Sequence, residues 1–489
     1  VSDGADRRLH PATIALRFVK EAPSTLLALP AGLAFASKSG FTGALVLAAM
    51  LAGALLVVKW VAWRRFRYGV GREVIVIESG ILHRTRRSIP FDRVQDVDIE
   101  RSFLARLFGL AKVRIETGAG GKDEGVLDSV SLAEAHRLRE TVRTRRSDGA
   151  AAAAGAAESS SALFAMDVPR VLLFGLFNFS LVYIAGLFAL LQTFDRFLPF
   201  DIYDPARWVG LVGEYLPHRW TLGAIAGVLL VAALLGSAAG ILRTLARDFG
   251  FRLSLEGGRF RRERGLFTRS EVVIARRRVQ LAQVQTGPVR GSFGWSGLSF
   301  QTLGAGTDAS GRQGAAPFAT RGEIEAVLAQ VPPLRLPPPP ELTQVSRRHI
   351  LRSAGARLGP ALAAVLALSV WERSALLLLA LLPLLAVASA LDRRFHRYAL
   401  AGDLLFVARG VWRRRLWLVP LQNVQSLSLS RGLLQRRLGL ATLSIDTAGA
   451  SLMNSPRIVD LRADLAEGLA AEISRRRRDH SGRKSGTER

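Results

Sequence analysis

The stretch Arg397–Ala450, RYALAGDLLFVARGVWRRRLWLVPLQNVQSLSLSRGLLQRRLGLATLSIDTAGA, decides how this chain is read, because its pattern occurs three times. One copy starts at Arg67 with RYGVGREVIVIESGIL and runs through SIPFDRVQDVDIERSFLARLFGLAKVRIETGAG. Another starts at Arg252 with RLSLEGGRFRRERGLF and runs through VIARRRVQLAQVQTG to SFGWSGLSFQTLG. Gly80, Val94, Gly109 and Thr117 recur as Gly265, Val279, Gly294 and Thr302, and again as Gly410, Val424, Gly439 and Thr447. The steps between these landmarks are 14, 15 and 8 residues in every copy, and Gln95, Gln280 and Gln425 follow the valines. Three copies in one ungapped register set the architecture ahead of any other feature.

Outward from each copy, toward the N-terminus, lies a pair of apolar runs. They are Leu26–Ser37 with Thr42–Trp63, Val171–Leu191 with Leu222–Leu242, and Leu358–Trp371 with Ala375–Leu391. A helix needs about 20 residues to cross a hydrocarbon core, and Thr42–Trp63 meets that outright. Leu26–Ser37 is short and holds Pro30 and Gly32; without it the count falls from six spans to five and the N-terminus changes side. Each hairpin returns the chain to the side it left, so all three repeats are expected on one side. Arg64, Arg65, Arg243, Arg247, Arg347, Arg348, Arg352, Arg393 and Arg394 crowd the repeat-side ends, which points to the cytoplasm. The expected order is an N-terminal segment and hairpin over 1–63, a domain over 64–147 and a flexible linker over 148–168. A hairpin over 169–243, a domain over 244–331 and a Pro-rich linker over 332–355 follow. A hairpin over 356–392, a domain over 393–477 and a basic disordered tail over 478–489 complete the chain.

Composition agrees with that order. The 489 residues suit about three domains, and 49% are apolar, yet the formal net charge is +27. Spans joined to basic domains beside an anionic leaflet account for both. There is no cysteine, which excludes disulfides, thiolate metal sites and a cysteine nucleophile.

Inside each copy the apolar period is two. Glu73–Glu78, Leu253–Glu256 and Asp403–Val407 read as strands, and Gly80, Gly265 and Gly410 stand where a hairpin needs positive φ. Return strands follow at Leu82–Ile89, Phe267–Ile274 and Trp412–Val419, ended by Pro90 and Pro420. Then come strands at the landmark valines, a short helical turn stopped by Gly109, Gly294 or Gly439, and a further strand. Terminal helices are expected at Leu132–Arg145, Gly322–Val331 and Ala463–Arg477. Copy two lacks the proline, carries a Gly- and Ser-rich insertion at Gly304–Gly314 and has no evident strand before its last helix. The fold class is therefore membrane helical hairpins plus α+β, with three small antiparallel barrels or sandwiches, each capped by a helix.

The segments SIPFDRVQDV and LVPLQNVQSL, each after a glycine hairpin and behind two spans, are similar to the bacterial pleckstrin-homology-like domain of YdbT-like membrane proteins. The resemblance implies about seven strands and a C-terminal helix per copy. It also implies a link to envelope stress or to resistance to membrane-active peptides.

No enzyme is expected. His10, His83, His136, His218, His349, His396 and His480 are scattered, and Gly118–Lys122 (GAGGK) is no phosphate loop. Glu116 stands in place of its first glycine, and Asp123 replaces the magnesium-holding Ser or Thr. No cofactor or metal is expected. Asp201 with Asp204 reads as an interfacial loop, and Asn178 and Tyr183 as helix–helix contacts.

The functional signal is basic: Arg84, Arg86 and Arg87; Arg259, Arg261, Arg262 and Arg264; Arg276, Arg277 and Arg278; Arg413, Arg414 and Arg415; Arg436 and Arg437. A surface for anionic headgroups and a solvated basic face are the two readings of these arginines. The tail RRRRDHSGRK has no interleaved aromatic to stack bases, so nucleic acid is not an expected partner and the inner leaflet is. The leading expectation is a membrane scaffold that contacts anionic lipid, a protein partner and other copies of itself in the same membrane. The alternative is a transporter or lipid-handling protein with regulatory domains.

Overall fold

The computed structural model describes residues 7–16, 46, 49–50, 52–71, 73–81, 83–117, 125–145, 162–178, 221–302, 312–337, 342–448 and 455–486. The first apolar run, the Gly118–Lys122 loop, the linker 148–161, the loop Gln192–Trp220 and residues 304–311 of the insertion lie outside them.

Copy one consists of β1 (Arg67–Val70), β2 (Val74–Ser79), β3 (Thr85–Pro90), β4 (Val94–Arg101), β5 (Leu110–Thr117), β6 (Gly125–Ser131) and the helix Leu132–Arg145. Copy two has β7 (Ala162–Ala165), β8 (Arg252–Glu256), β9 (Arg259–Arg264), β10 (Arg269–Ala275), β11 (Val279–Thr286), β12 (Ser296–Thr302), β13 (Arg312–Ala319) and the helix Arg321–Ala329. Copy three has β14 (Thr343–Gln344), β15 (Arg397–Ala401), β16 (Leu404–Arg409), β17 (Arg414–Pro420), β18 (Val424–Ser430), β19 (Leu440–Thr447), β20 (Arg457–Arg462) and the helix Ala463–Gly486. The alternating strands and the glycine hairpins stand where the sequence places them. Copies two and three each have seven strands and a terminal helix.

Two features are new. The first is that copies two and three take their first strand from before their apolar segments, and copy one makes an isolated bridge from there. β7 pairs with β8 through Phe164↔Leu253, β14 pairs with β15 through Thr343↔Tyr398, and Arg7 bridges to Tyr68. Leu9, Met166 and Val345, two residues on in each case, are buried in the cores. The chain therefore enters and leaves each apolar segment at one sheet edge. Ala162–Ala165, expected to be flexible linker, is a strand because Phe164 is held in that core.

The second is that the copies share sheets. One seven-stranded sheet runs β6-β5-β4-β10-β9-β8-β7, so copy one continues into copy two; another runs β13-β12-β11-β17-β16-β15-β14, so copy two continues into copy three. β1-β2-β3 and β18-β19-β20 remain as three-stranded sheets at the two ends. Side chains alternate across the shared strand β17. Leu418 lies in the core of copy two, whereas Trp417 and Val419 lie in that of copy three.

Three expectations need correction. Copy two does have a strand before its last helix. β13 reads RQGAAPFA, poor in β-formers, but Ala315, Ala316, Phe318 and Ala319 are fully buried, so packing overrides propensity. The start of the Pro-rich linker is docked rather than a free spacer, since Val331 and Leu334 are buried and Leu336 packs against the same core. The basic tail is helical to Gly486, where Glu472 pairs with Arg475 and Arg476 and the helix C-terminus favours the arginines beyond.

Among the described residues, three helices are long and apolar enough to cross a membrane: Leu230–Asp248, Arg348–Ser369 and Arg373–Phe395. Val168–Phe177 is a shorter apolar helix packed on Thr221–Asp248. There Gly175 and Gly240 let the two backbones meet.

Candidate functional site

The three glycine hairpins lie beside the ends of the apolar helices. Gly80, Gly265 and Gly410 have φ of 119°, 111° and 102°, and a Cβ on any of them would strike the carbonyl of the residue three further on. Gly265 N–H donates to the Phe249 carbonyl at 2.9 Å, and Leu266 N–H donates to that of Ala246 at 3.1 Å, at the end of Thr221–Asp248. In copy one the Arg65 guanidinium donates to the Ile81 carbonyl. In copy three the Arg414 guanidinium lies 3.9 Å from the centre of the Phe395 ring.

The short helices Phe103–Leu107, Pro288–Ser292 and Leu433–Arg437 lie at the same end. Phe103 packs edge-on against Phe267 at 6.3 Å, Phe293 lies 5.9 Å from Phe177, and Arg348 donates to the Leu438 carbonyl at 2.8 Å. This helix-side end carries exposed apolar side chains in every copy: Phe103, Leu107 and Phe108; Val289 and Phe293; and Trp412 and Leu433, which are 79% and 81% exposed. Apolar and aromatic groups beside arginines suit a bilayer interface.

The predicted arginines divide by their position relative to this end. Those of copy two are largely committed to the fold. Arg262 is 0% exposed and donates to the Gly314 carbonyl at 3.0 Å. As a headgroup contact it is corrected, because its side chain lies inside the protein. Arg261 reaches Glu271 at 2.8 Å, Glu263 at 3.1 Å and Glu256 at 3.3 Å. Burial works against its charge, but Glu271, Glu256 and Glu263 outweigh it and raise its pKa. Arg264 pairs with buried Asp248 at 3.1 Å. Arg259 opens β9 at the opposite end, and the turn Arg276–Arg278 lies there too, with Arg276 bonded to the Gly258 and Gln330 carbonyls at 3.3 and 3.1 Å. The tail also belongs to this far end. Arg476 and Arg477 donate to the Gly402 and Gln425 carbonyls at 2.9 and 3.0 Å, away from the helix-side face.

In copy one Arg84, Arg86 and Arg87 are exposed, with Arg86 at 3.6 Å from Glu78. In copy three Arg413, Arg436 and Arg437 are exposed at the helix-side end. Arg415 is half-buried; burial, then Arg413 and Arg409, push its pKa down. Across the junction Arg312 bonds Gln283, and burial and Arg415 push its pKa down as well. Among the described residues no carboxylate pairs with Arg312, Arg413 or Arg415. Arg413 and Arg409 repel Arg415, and Arg415 repels Arg312.

Sequence reasoning missed a buried polar cluster. Asp460, with φ of 64°, accepts from Arg352 Nε at 2.5 Å and Gln435 Nε2 at 2.7 Å, and lies 2.6 Å from His349 Nδ1. Burial opposes its ionisation, but His349, Gln435 and Arg352 hold its carboxyl below the ordinary range. The cluster bolts the third apolar segment to β20. Only the His349–Arg352 spacing on one helix face hinted at it, because Asp460 lies 108 residues beyond Arg352. Among the described residues no group of three or more His, Asp or Glu side chains is placed to hold a metal ion.

The family described as Bacterial PH domain matches residues 21–146, 187–334 and 355–477. The chain is similar to the UPF0699 transmembrane protein YdbT of Bacillus subtilis (strain 168), at 25% identity over 319 residues, 61% of this chain and 63% of that protein. It is also similar to the UPF0699 transmembrane protein YdbS of the same organism, at 34% identity over 104 residues, 21% of this chain. Each match spans 63% of the relative's length. No solved structure matches. The three family matches fall on the three repeats and together take in most of the chain, which is a transmembrane protein belonging to the bacterial PH domain family.

Proposed function

We propose that this chain is a non-enzymatic scaffold of a bacterial cytoplasmic membrane. Its three PH domains lie on the cytoplasmic side, dock on anionic headgroups through their helix-side ends, and bind a protein partner. Six spans in three hairpins fit the pairing of β7 with β8, of β14 with β15 and of Arg7 with Tyr68. Strands that flank a span on one side imply an even number of crossings. That reading puts both termini on the domains' side, and the arginines at the repeat-side helix ends favour the cytoplasm for it.

The observation that carries headgroup docking is the helix-side end of copy three. Arg413, Arg436 and Arg437 are exposed there beside Trp412 and Leu433. Each arginine near an anionic surface contributes on the order of 1 kcal/mol, and salt screens it. Against the transporter reading stands Asn178, whose side chain donates to Thr244 Oγ1 at 3.2 Å as a helix–helix contact.

The test uses the full-length protein in neutral detergent micelles titrated with a short-chain anionic phospholipid. R413Q/R436Q/R437Q is expected to weaken binding by on the order of 100-fold at low salt. Unchanged affinity would remove these arginines from the account. Saturable binding of a neutral solute, unaffected by the substitutions, would favour transport.

A further inference from the structure

Both internal junctions follow one rule, and among the described strands the rule leaves β3 and β18 with one edge unpaired. At the first junction β4 pairs with β10 through Ile99↔Glu271, Glu100↔Ser270 and Arg101↔Arg269. At the second β11 pairs with β17 through Ala282↔Leu418, Gln283↔Trp417, Val284↔Leu416, Gln285↔Arg415 and Thr286↔Arg414. Ile99 and Val284 both lie five residues after the landmark valine, and Glu271 and Leu416 both lie six residues after the hairpin glycine. The two junctions therefore have the same register to the residue, although their sequences differ. A register that recurs between dissimilar strands is a property of the domain geometry.

The rule joins the fourth-strand position of one copy to the third-strand position of the next. Among the described strands β18, at the fourth-strand position of copy three, pairs with β19 alone, and β3, at the third-strand position of copy one, pairs with β2 alone. The two bare edges are complementary under the rule. Exposure agrees: Ser428, Leu429 and Ser430 of β18 and Thr85, Arg86, Arg87 and Ser88 of β3 are exposed, whereas their paired equivalents Gln283, Val284 and Gln285 of β11 and Arg415, Leu416, Trp417 and Leu418 of β17 are buried or half-buried.

We propose that β18 of one chain pairs antiparallel with β3 of a second copy, in the register Leu427↔Ser88, Ser428↔Arg87, Leu429↔Arg86 and Ser430↔Thr85. The chemistry of the edges favours this contact over a symmetric one. β18 reads VQSLSLS, without charge or proline, and such an edge is a standing template for another strand. β3 carries Arg86 and Arg87, which disfavour pairing of β3 with itself. Arginine in this strand does not by itself block the junction, since Arg269 and Arg415 lie in the strands paired at the internal ones, at the positions of Arg84 and Thr85. A contact between different surfaces of identical chains is heterologous, so it propagates into a ring or a row. With all domains on one face, that row lies in the membrane plane. The contact rests on the strand register and stands apart from headgroup docking.

The cysteine-free chain makes the test direct. Thr85→Cys and Ser430→Cys are placed in two differently tagged full-length chains, co-expressed and oxidised in native membranes. Directly opposed residues lie within disulfide reach. The equivalent internal pair, Glu100→Cys with Ser270→Cys in one chain, reports cross-linking at a register already present. The expected result is a mixed disulfide dimer, twice the 53.0 kDa chain mass, with none from either variant alone. The proposal is overturned by dimers of S430C alone, which would mean β18 pairs with β18. It is equally overturned if the T85C/S430C double variant closes only within one chain, or if the mixed pair stays reduced while the internal pair oxidises.

Discussion

Acidification is expected to loosen the third domain through one imidazole. His396 follows the helix Leu382–Phe395, is 1% exposed, and accepts the Val459 N–H at Nε2 across 3.3 Å. That bond assigns the proton of the neutral ring to Nδ1. A second proton would have to sit on Nε2, facing a donor. Burial, Arg409 and His349 oppose the charge more than Asp392 and Asp460 support it, and the pKa is pushed down to about 3. In the unfolded chain the ring titrates near its ordinary value of about 6.5, so below that pH the unfolded state binds more protons. The stabilisation is complete above about pH 6.5 and is lost progressively as the pH falls toward 3. Relative to its value well above pH 6.5, the stabilisation at pH 5 is lower by roughly 2 kcal/mol, about 30-fold in the opening equilibrium. Hydrogen exchange of the full-length protein in micelles, read on the peptide containing Val459 and corrected for the intrinsic pH effect, measures this. H396Q keeps an acceptor but cannot titrate, so its profile should be flatter by that factor. Parallel profiles for H396Q and the wild type would refute the assignment.

Two further perturbations probe the scaffold. Gly240→Leu would place a Cβ 2.7 Å from the Gly175 carbonyl and 3.0 Å from that of Asn178. It should force the two helices apart at a cost of about 1–3 kcal/mol, seen as a lower thermal midpoint and loss of amide protection in Val168–Phe177. Glu271→Gln withdraws the carboxylate that Arg139 of copy one reaches at 2.6 Å and Arg261 at 2.8 Å. A cost on the order of 2–3 kcal/mol should appear as faster exchange in β4 and β10, with β11 and β17 unchanged. Equal acceleration at both junctions would refute a local role for Glu271.

What the sequence disclosed, and what it hid, follows from the range of the interactions involved. The hairpin glycines, the alternating strands and Pro90 and Pro420 were legible because backbone geometry and local burial impose them. β7 and β14, reading ALFA and TQ, are too short to carry a periodic signal; their partners lie beyond an apolar segment. β13 was missed because its alanines and proline satisfy close packing: a Cβ at Gly297 of the neighbouring β12 would lie 2.7 Å from the Pro317 carbonyl. The arginines of copy two read as a surface because their fates are decided elsewhere in the chain. Glu271 and Asp248 neutralise Arg261 and Arg264, and Gly314 lies 52 residues beyond Arg262. Among the described residues of copy three no such acids pair with Arg413 or Arg415, and Arg413 remains exposed.

The sharing of sheets changes what a domain is in this chain. Copy two draws its first strand from before an apolar segment, borders β4 of copy one on one edge and borders β17 of copy three on another. Cutting between copies would bare two edges at each cut, and cutting before β8 would remove the strand that ties the apolar segment's entry to its exit. A shift of one apolar segment therefore acts on two positions of the same sheet, and that sheet continues into the neighbouring copy without a flexible joint at β4–β10 or β11–β17. The PH repeats act as one ribbon of sheets, with the apolar segments as its attachments.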